Sequence, residues 1–515
     1  MKMKKHIILH PYLFAIFPIL FLYGHNIDQT SPYIAMLTIL LTLFITFIFF
    51  TLLTFFLKDS IKCAFIVSFV LITFFSYGHI HSLLLNTTVK FLTYRANFNR
   101  LNWDVRLDIL THIYLLAWIL IISKISLRNI IKRNYKNSFH VSKILNTISV
   151  ILLVMPLFKI GIYLLKAEPY ILNTASEKST EVQKSAYDPD IYYIILDGYA
   201  RSDVLEKHYG FNNSKFINFL TKRGFYIAPK SHSNFAWTFL SLSSSLNFEY
   251  INYLKNKVGS ISTDLRIPYE MIKNNKIARF LKSKGYLFIH FNSTWGATQS
   301  NRYADVEIGY KKSIFKNEFI RILSTTTLLK VFDSLIVEDL AHTHLYTFEA
   351  LNNIPEINKP KFTFLHLIMP HHPYIFDSDG NIKKYATKMD QFQLGMWGKK
   401  NEYVDQLIFV NKRIEVAIDR ILKYSVNPPI IIVQSDHGSS LFELDRKNFM
   451  INRMRNFNAF YLPEGGDKLL YPSITPVNTF RLILNHYFGT NLPLLEDKIY
   501  FSDFCRPYKF IRIFP

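Results

Sequence analysis

Two cysteines serve 515 residues. Cys63 sits in an apolar run and Cys505 near the end, and no Cys-x-x-Cys occurs. That excludes a disulfide framework, so the larger part of the chain must be stabilised by its own core. Acidic residues are scarce at one end. Residues 1–166 hold only Asp28, Asp59, Asp104 and Asp108 against 17 Lys and Arg, and carry +13 of a formal net charge of +22. The basic excess lies between long apolar runs, which points to a membrane surface and away from nucleic acid. Internal repeats are absent. No small-residue cleavage site follows the first apolar run, so that run reads as an uncleaved helix and not a removed signal.

Five runs approach or exceed the ~20 apolar residues that cross a bilayer. They cover 6–23, 33–57, 61–85, 107–125 and 144–165. Lys2, Lys4 and Lys5 precede the first, and six basic residues fall between Lys124 and Lys143. By the positive-inside rule these face the cytoplasm. The loop 90–106, with four basic residues, runs mildly against that assignment. Five crossings then put everything after Leu165 outside. Asp108 and His112 read as hydrated groups near one membrane face, the functional alternative being that intramembrane ionisable side chains mark a site. The division that follows is a membrane domain at 1–166, a polar linker at 167–187 and a catalytic domain at 188–515.

Beyond the linker, near-continuous apolar runs at 191–196, 286–291, 362–369 and 430–434 suit strands buried on both faces of a parallel sheet. Helical patterns fall between and after them, at 214–223, 268–284, 402–423 and 476–488. The alternation predicts an α/β domain with a mainly parallel sheet. Ligands collect at the carboxyl ends of such strands. Strand 191–196 ends in Asp197-Gly198, strand 286–291 in Asn292-Ser293-Thr294, strand 362–369 in Pro370-His371-His372-Pro373, and strand 430–434 in Ser435-Asp436-His437-Gly438. Oxygen and imidazole donors at several strand ends suggest a divalent-metal site. Thr238 precedes a stretch with helical character, where a hydroxyl meets unpaired amides and the positive end of a helix dipole. His366, inside its strand, reads as a core histidine.

Together, Asp197 in Ile-Leu-Asp-Gly-Tyr, Thr238 before Leu-Ser-Leu-Ser-Ser-Ser-Leu-Asn, Pro370-His371 before Pro-Tyr-Ile-Phe-Asp, and Ser-Asp436-His437-Gly resemble the alkaline phosphatase/sulfatase superfamily. The likeness covers roughly 188–500 and is greatest to its membrane-attached branch, the lipoteichoic acid synthases and phosphoethanolamine transferases. It implies an alkaline-phosphatase-like fold and one divalent ion (Mn²⁺, Mg²⁺, Zn²⁺ or Ca²⁺) held by Asp197, Thr238, Asp436 and His437. Thr238 would be the nucleophile, and His371 would contact the substrate or leaving group. His372, Arg201 and Arg302 are further substrate candidates. The branch usually has Glu where this chain has Asp197. True sulfatases need a Cys or Ser in a Cys/Ser-x-Pro/Ala-x-Arg motif, which this chain lacks around Thr238, so sulfate-ester hydrolysis by that route is not expected. A second metal is not expected either, because His486 is the only histidine after His437.

The expectation is a membrane-anchored, metal-dependent transferase or hydrolase of phosphoester groups. It would act on membrane lipids and envelope glycans from the outer face of a bacterial cytoplasmic membrane, with no nucleic-acid partner. Two alternatives stand beside it: a non-catalytic lipid-sensing module of the same fold, and a plain phosphodiesterase.

Overall fold

The computed structural model describes residues 7–95, 103–132, 135–166, 188–387, 400–440 and 445–514. The expected linker at 167–187 lies outside these residues, as do Lys2, Lys4, Lys5 and Arg133. The chain divides into two compact units. One is Met1–Ile171 with Phe319–Leu335, and the other is Leu172–Glu318 with Ile336–Pro515.

The first unit is helical: α1 (His10–His25), α2 (Pro32–Leu57), α3 (Ser60–Arg95), α4 (Trp103–Lys132) and α5 (Tyr135–Lys166). Among the described residues, four stretches within it are long and apolar enough to cross a membrane: Pro32–Leu57, Ser60–Leu85, Leu107–Ile130 and Ser138–Leu165. The first expected span does not reach that length. Its helix has 16 residues, about 24 Å at 1.5 Å per residue, against a hydrocarbon core of about 30 Å. The expected five spans therefore become four by length. α1 is instead an inner helix. Ala15 and Ile19 are fully buried, and Asn146 of α5 caps its start by accepting from the amides of Leu9 and His10. α2 leaves Leu40, Leu41, Phe44, Ile45, Phe47, Phe55 and Phe56 exposed. An apolar surface that continuous suits lipid and not water.

Phe319–Leu335 was expected in the catalytic domain but packs with this helical unit. Phe319 is buried among Ile19, Tyr23, Ile27 and Phe75. Gly78 of α3 permits the approach, because a Cβ there would overlap the backbone of Thr325 and Thr326.

The second unit is an α/β domain. Its main sheet uses β1 (Ile191–Leu196), β2 (Tyr226–Ile227), β3 (Leu287–Phe291), β4 (Val306–Ile308), β5 (Lys361–Leu367), β8 (Ile430–Gln434) and β9 (Asn458–Tyr461). β6 (Tyr374–Phe376) pairs with β7 (Ile382–Thr387), and β10 (Ile499–Asp503) with β11 (Arg506–Ile513), as separate ribbons. The main order is β2-β9-β8-β1-β5-β3-β4. From β8 to β4 the strands are parallel, and β9 and β2 add an antiparallel edge. Side chains alternate between two cores, as a pleat requires. Tyr192, Ile194, Leu196, Ile431 and Val433 enter one, while Ile191, Tyr193, Ile195, Ile430 and Ile432 enter the other. Helix Lys400–Tyr424 covers the first core, and helices Thr238–Asn247 and Pro476–Phe488 cover the second.

The single helix expected over 268–284 is two, Arg266–Lys273 and Lys276–Ser283. Buried Asn275 separates them. Its side chain accepts from the Ala278 amide at 2.8 Å and donates to the Ile272 carbonyl at 2.9 Å, capping one helix and closing the other. Asn275→Ala removes both bonds and should lower unfolding stability by about 1–2 kcal/mol, read as a shift in a denaturant midpoint.

Candidate functional site

The sheet register builds the site. Ile195 lies opposite His366 on one side and Gln434 on the other. The carboxyl ends of β5, β1 and β8 therefore finish level, and the residues after them meet. Asp197, Asp436 and His437 each offer one ligand atom, all within 4.8 Å of one another, and all three residues are buried. His437 Nε2 is 3.2 Å from Asp436 Oδ2 and 3.7 Å from Asp197 Oδ1. Thr238, the first residue of helix Thr238–Asn247, puts Oγ1 3.2 Å from the same Nε2. The helix is tied to the strand end by Ser241, whose hydroxyl donates to the Asp436 carbonyl at 2.6 Å.

The turns are held by their own hydrogen bonds. Asp436 Oδ1 accepts from the Gly198 amide at 3.0 Å. Ser435 accepts from the Tyr199 amide and donates to the His437 carbonyl. Gly438 must be a glycine. Its amide donates to the Arg453 carbonyl at 2.7 Å, and a Cβ would overlap the carbonyl oxygens of Asn452 and Arg455.

His437 donates from Nδ1 to the Gly438 carbonyl at 2.9 Å. That leaves its Nε2 lone pair turned toward the carboxylates and Thr238. Asp197 Oδ1 and Asp436 Oδ2 are buried without a hydrogen-bond partner among the described residues. Two unpartnered carboxylate oxygens are what a cation would satisfy, so the acids fit a divalent ion, while His437 Nε2 accepts from Arg453 and would exchange that donor for the ion.

The electrostatics agree. Burial, and next the charge of Asp197, push the Asp436 carboxyl up. Burial also opposes ionisation of Asp197, but the imidazoles of His371, His366 and His437 outweigh it and hold that carboxyl below the usual range. Adjacent buried acids split in this way because the charge on one disfavours ionisation of the other. Burial and then the Arg453 guanidinium lower His437 well below its ordinary value.

His371 is placed by the turn after β5. Its amide donates to the Asp197 carbonyl at 3.1 Å, and its Nδ1 donates to the His372 carbonyl at 2.6 Å. Gln406 clamps this turn, donating to the His371 carbonyl and accepting from the Ile375 amide. Burial lowers His371 and lowers His372 further. Both rest neutral. Their rings lie 4.0 Å apart.

The remaining substrate candidates divide. Arg201 follows the β1 turn, but its guanidinium is engaged by Asp203 at 2.8 and 2.9 Å and by the Ser231 carbonyl. Arg302 is not brought to the group. Its side chain is 67% exposed and pairs with Glu270.

Two further residues belong here. His366 is buried as expected of a core histidine, yet its Nε2 lies 3.5 Å from Asp197 Oδ2 and its Nδ1 bonds Thr298. Arg453 had no sequence signal, being one of three arginines in a basic helical stretch. It is fully enclosed, with its guanidinium 4.8 Å from the Trp237 ring centroid. It donates to Ala236 and Gly438 carbonyls, to Ser440 Oγ, and at 2.7 Å to His437 Nε2.

The sulfatase family model matches residues 189–481. The chain belongs to the sulfatase family. No curated protein matches it by sequence. Solved structures similar to it include the C-terminal periplasmic domain of EcEptC from Escherichia coli, with 12% identity, TM-score 0.42, and coverage of 64% of this chain and 94% of that one. The periplasmic domain of phosphoethanolamine transferase EptC from Campylobacter jejuni gives 15% identity, TM-score 0.38 and coverage of 60% and 92%. The soluble domain of lipooligosaccharide phosphoethanolamine transferase A from Neisseria meningitidis gives 12%, 0.35, and 59% and 89%.

Two outcomes follow from the site. A cation must displace the proton that Asp436 holds, so divalent-ion affinity should fall as pH is lowered, by up to about tenfold per unit, in chelator-buffered titrations. Gly438→Ala should cost about 2–3 kcal/mol through overlap and weaken ion binding with it, read by thermal melting and titration of the same sample.

Proposed function

We propose that this sulfatase-family protein is a membrane-anchored transferase or hydrolase of phosphoester groups that works through a Thr238 nucleophile. The observation that carries this reading is the placement of Thr238 Oγ1 3.2 Å from His437 Nε2, beside two buried carboxylate oxygens that lack partners. Asp197, Asp436 and His437 would hold one divalent ion, with Thr238 completing the set. Such an ion lowers the cost of ionising a bound hydroxyl and offsets charge on a phosphoryl oxygen.

The side chains do the rest. Thr238 Oγ attacks phosphorus and gives up its proton to solvent, an O–P bond forms, and the bond to the leaving oxygen breaks, that oxygen taking a proton from solvent. The amides at the start of helix Thr238–Asn247 face the transferred group. His371 has Nδ1 committed to a carbonyl, so Nε2 is the nitrogen that exchanges a proton. Resting neutral, it suits removal of a proton from the acceptor hydroxyl that releases the group from Thr238. Four helices of membrane-crossing length favour lipid and envelope-glycan substrates, and an even number of crossings puts the catalytic unit on the same face of the membrane as the start of α2.

Arg453 favours a second reading. Its guanidinium already occupies the His437 lone pair, as a built-in cation would in a non-catalytic lipid-binding module.

Thr238→Ala separates the two. The full chain in detergent, incubated with phospholipids, should show an adduct mass on Thr238 by intact and peptide mass spectrometry. Thr238→Ala should show no adduct and lose turnover by a factor on the order of 10³ or more, with melting temperature unchanged. Undiminished turnover in Thr238→Ala would remove the covalent step, and absence of both adduct and bound ion in the parent would favour the binding module.

A further inference from the structure

The helical unit holds a second group of metal-ligand side chains, His81, Asp108 and His112, whose ligand atoms lie within 4.8 Å of one another. Tyr77 and His81 are four residues apart on α3, and Asp108 and His112 are four apart on α4. That spacing puts each pair on one helix face. His81 Nε2 is 3.5 Å from Asp108 Oδ1, and His112 Nε2 is 3.8 Å from Asp108 Oδ2. One carboxylate thus faces two imidazole nitrogens. The side chain of His81 is fully buried, and those of His112 and Asp108 are only 14% and 18% exposed. His81 Nδ1 has no hydrogen-bond partner among the described residues.

We propose that His81, Asp108 and His112 form a binding site for a divalent transition-metal ion, Zn²⁺ being the natural probe. Four observations support it. Ionisable side chains at the ends of membrane-length helices are costly to bury and persist where something compensates them. The nitrogen-to-oxygen separations are close to the ~3.3 Å that separates neighbouring ligands of a tetrahedral ion with ~2.0–2.1 Å bonds. Two imidazoles and one carboxylate are a donor set suited to first-row metals, with a position left open for water. Finally, His112 Nδ1 is held by the Tyr77 hydroxyl at 2.6 Å, the outer hydrogen bond that orients a metal-ligating imidazole.

The two rings are stacked, with centroids 3.9 Å apart and planes 25° apart. His81 Nε2 also lies 3.4 Å from the Asp108 carbonyl, so both Nε2 atoms reach one ion only after His81 releases that contact and the rings turn about their outer side-chain torsions, which are broad for histidine. Binding therefore unstacks the pair. The cluster lies where Phe319–Leu335 returns to the helical unit. Gly78, one helical step from His81, touches Thr325 and Thr326, and Lys330 acts electrostatically on His81 while pairing with Asp333 at 3.4 Å. A bound ion would sit against that returning segment.

This site stands apart from the phosphoester reading, and its test is independent of it. The full chain in detergent is equilibrated at buffered nanomolar free Zn²⁺, and the metal is counted by mass spectrometry. Wild type should hold two equivalents. His81→Ala with His112→Ala should hold one fewer. Asp436→Asn with His437→Ala should retain one, and the four changes together should hold none. Tyr77→Phe should weaken the retained site by about 10–100-fold. Should Asp436→Asn with His437→Ala fail to fold, the wild type and the His81/His112 variant decide by their difference. Equal metal content in those two, with matched melting and monodispersity, overturns the proposal. So does a folded Asp436/His437 variant that holds no zinc.

Discussion

Two carboxyl groups forced together by strand register govern this molecule. β1 is paired in parallel with β5 on one side and β8 on the other, so Asp197 and Asp436 emerge side by side. Each has an oxygen without a hydrogen-bond partner among the described residues. Buried, unpartnered carboxylate oxygens are expensive. The surrounding architecture reduces that cost: the Gly198 amide on Asp436, the ring of His366 near Asp197, the enclosed guanidinium of Arg453. The buried apolar runs of three parallel strands supply the rigidity that keeps the pair in place.

The same constraint explains why distant pieces of chain converge. Thr238 comes from a helix that packs on one face of the sheet, and His371 from the turn after β5. Gly438 allows the Arg453 segment to lie directly against the strand end. Each contact depends on backbone spacing: Ser241 reaches the Asp436 carbonyl, and the Gly438 amide reaches the Arg453 carbonyl.

Much of this was legible in the sequence, for specific reasons. β1 and β8 were read correctly because strands buried on both faces are apolar at every position, and β3 and β5 to within a residue or two. Helix Pro476–Phe488 was legible from its Pro start and its Gly489 end. Asp197, Asp436, His437 and Thr238 stood out as polar residues at the ends of apolar elements, and the structure brings them together. His366 was legible as a buried histidine within an apolar strand, and only the fold aims its ring at Asp197. Arg453 could not be seen, since a buried arginine and a solvated one look alike in a basic stretch. Arg302 shows the converse, a charge that stays on the surface with Glu270. The break at Asn275 was hidden because the residues on both sides keep a helical rhythm. α1 looked like a span by composition and proved too short.

The return of Phe319–Leu335 to the helices has a practical meaning. The two units are interleaved along the polymer, so no single cut parts them. A protein trimmed to begin after the last long helix would carry the Phe319 ridge with its covering removed. Oily residues shielded in the intact molecule would face water, and such a fragment would invite self-association whatever the health of its sheet. The chain is stitched to its anchor twice, and only the first stitch is visible from the order of its parts.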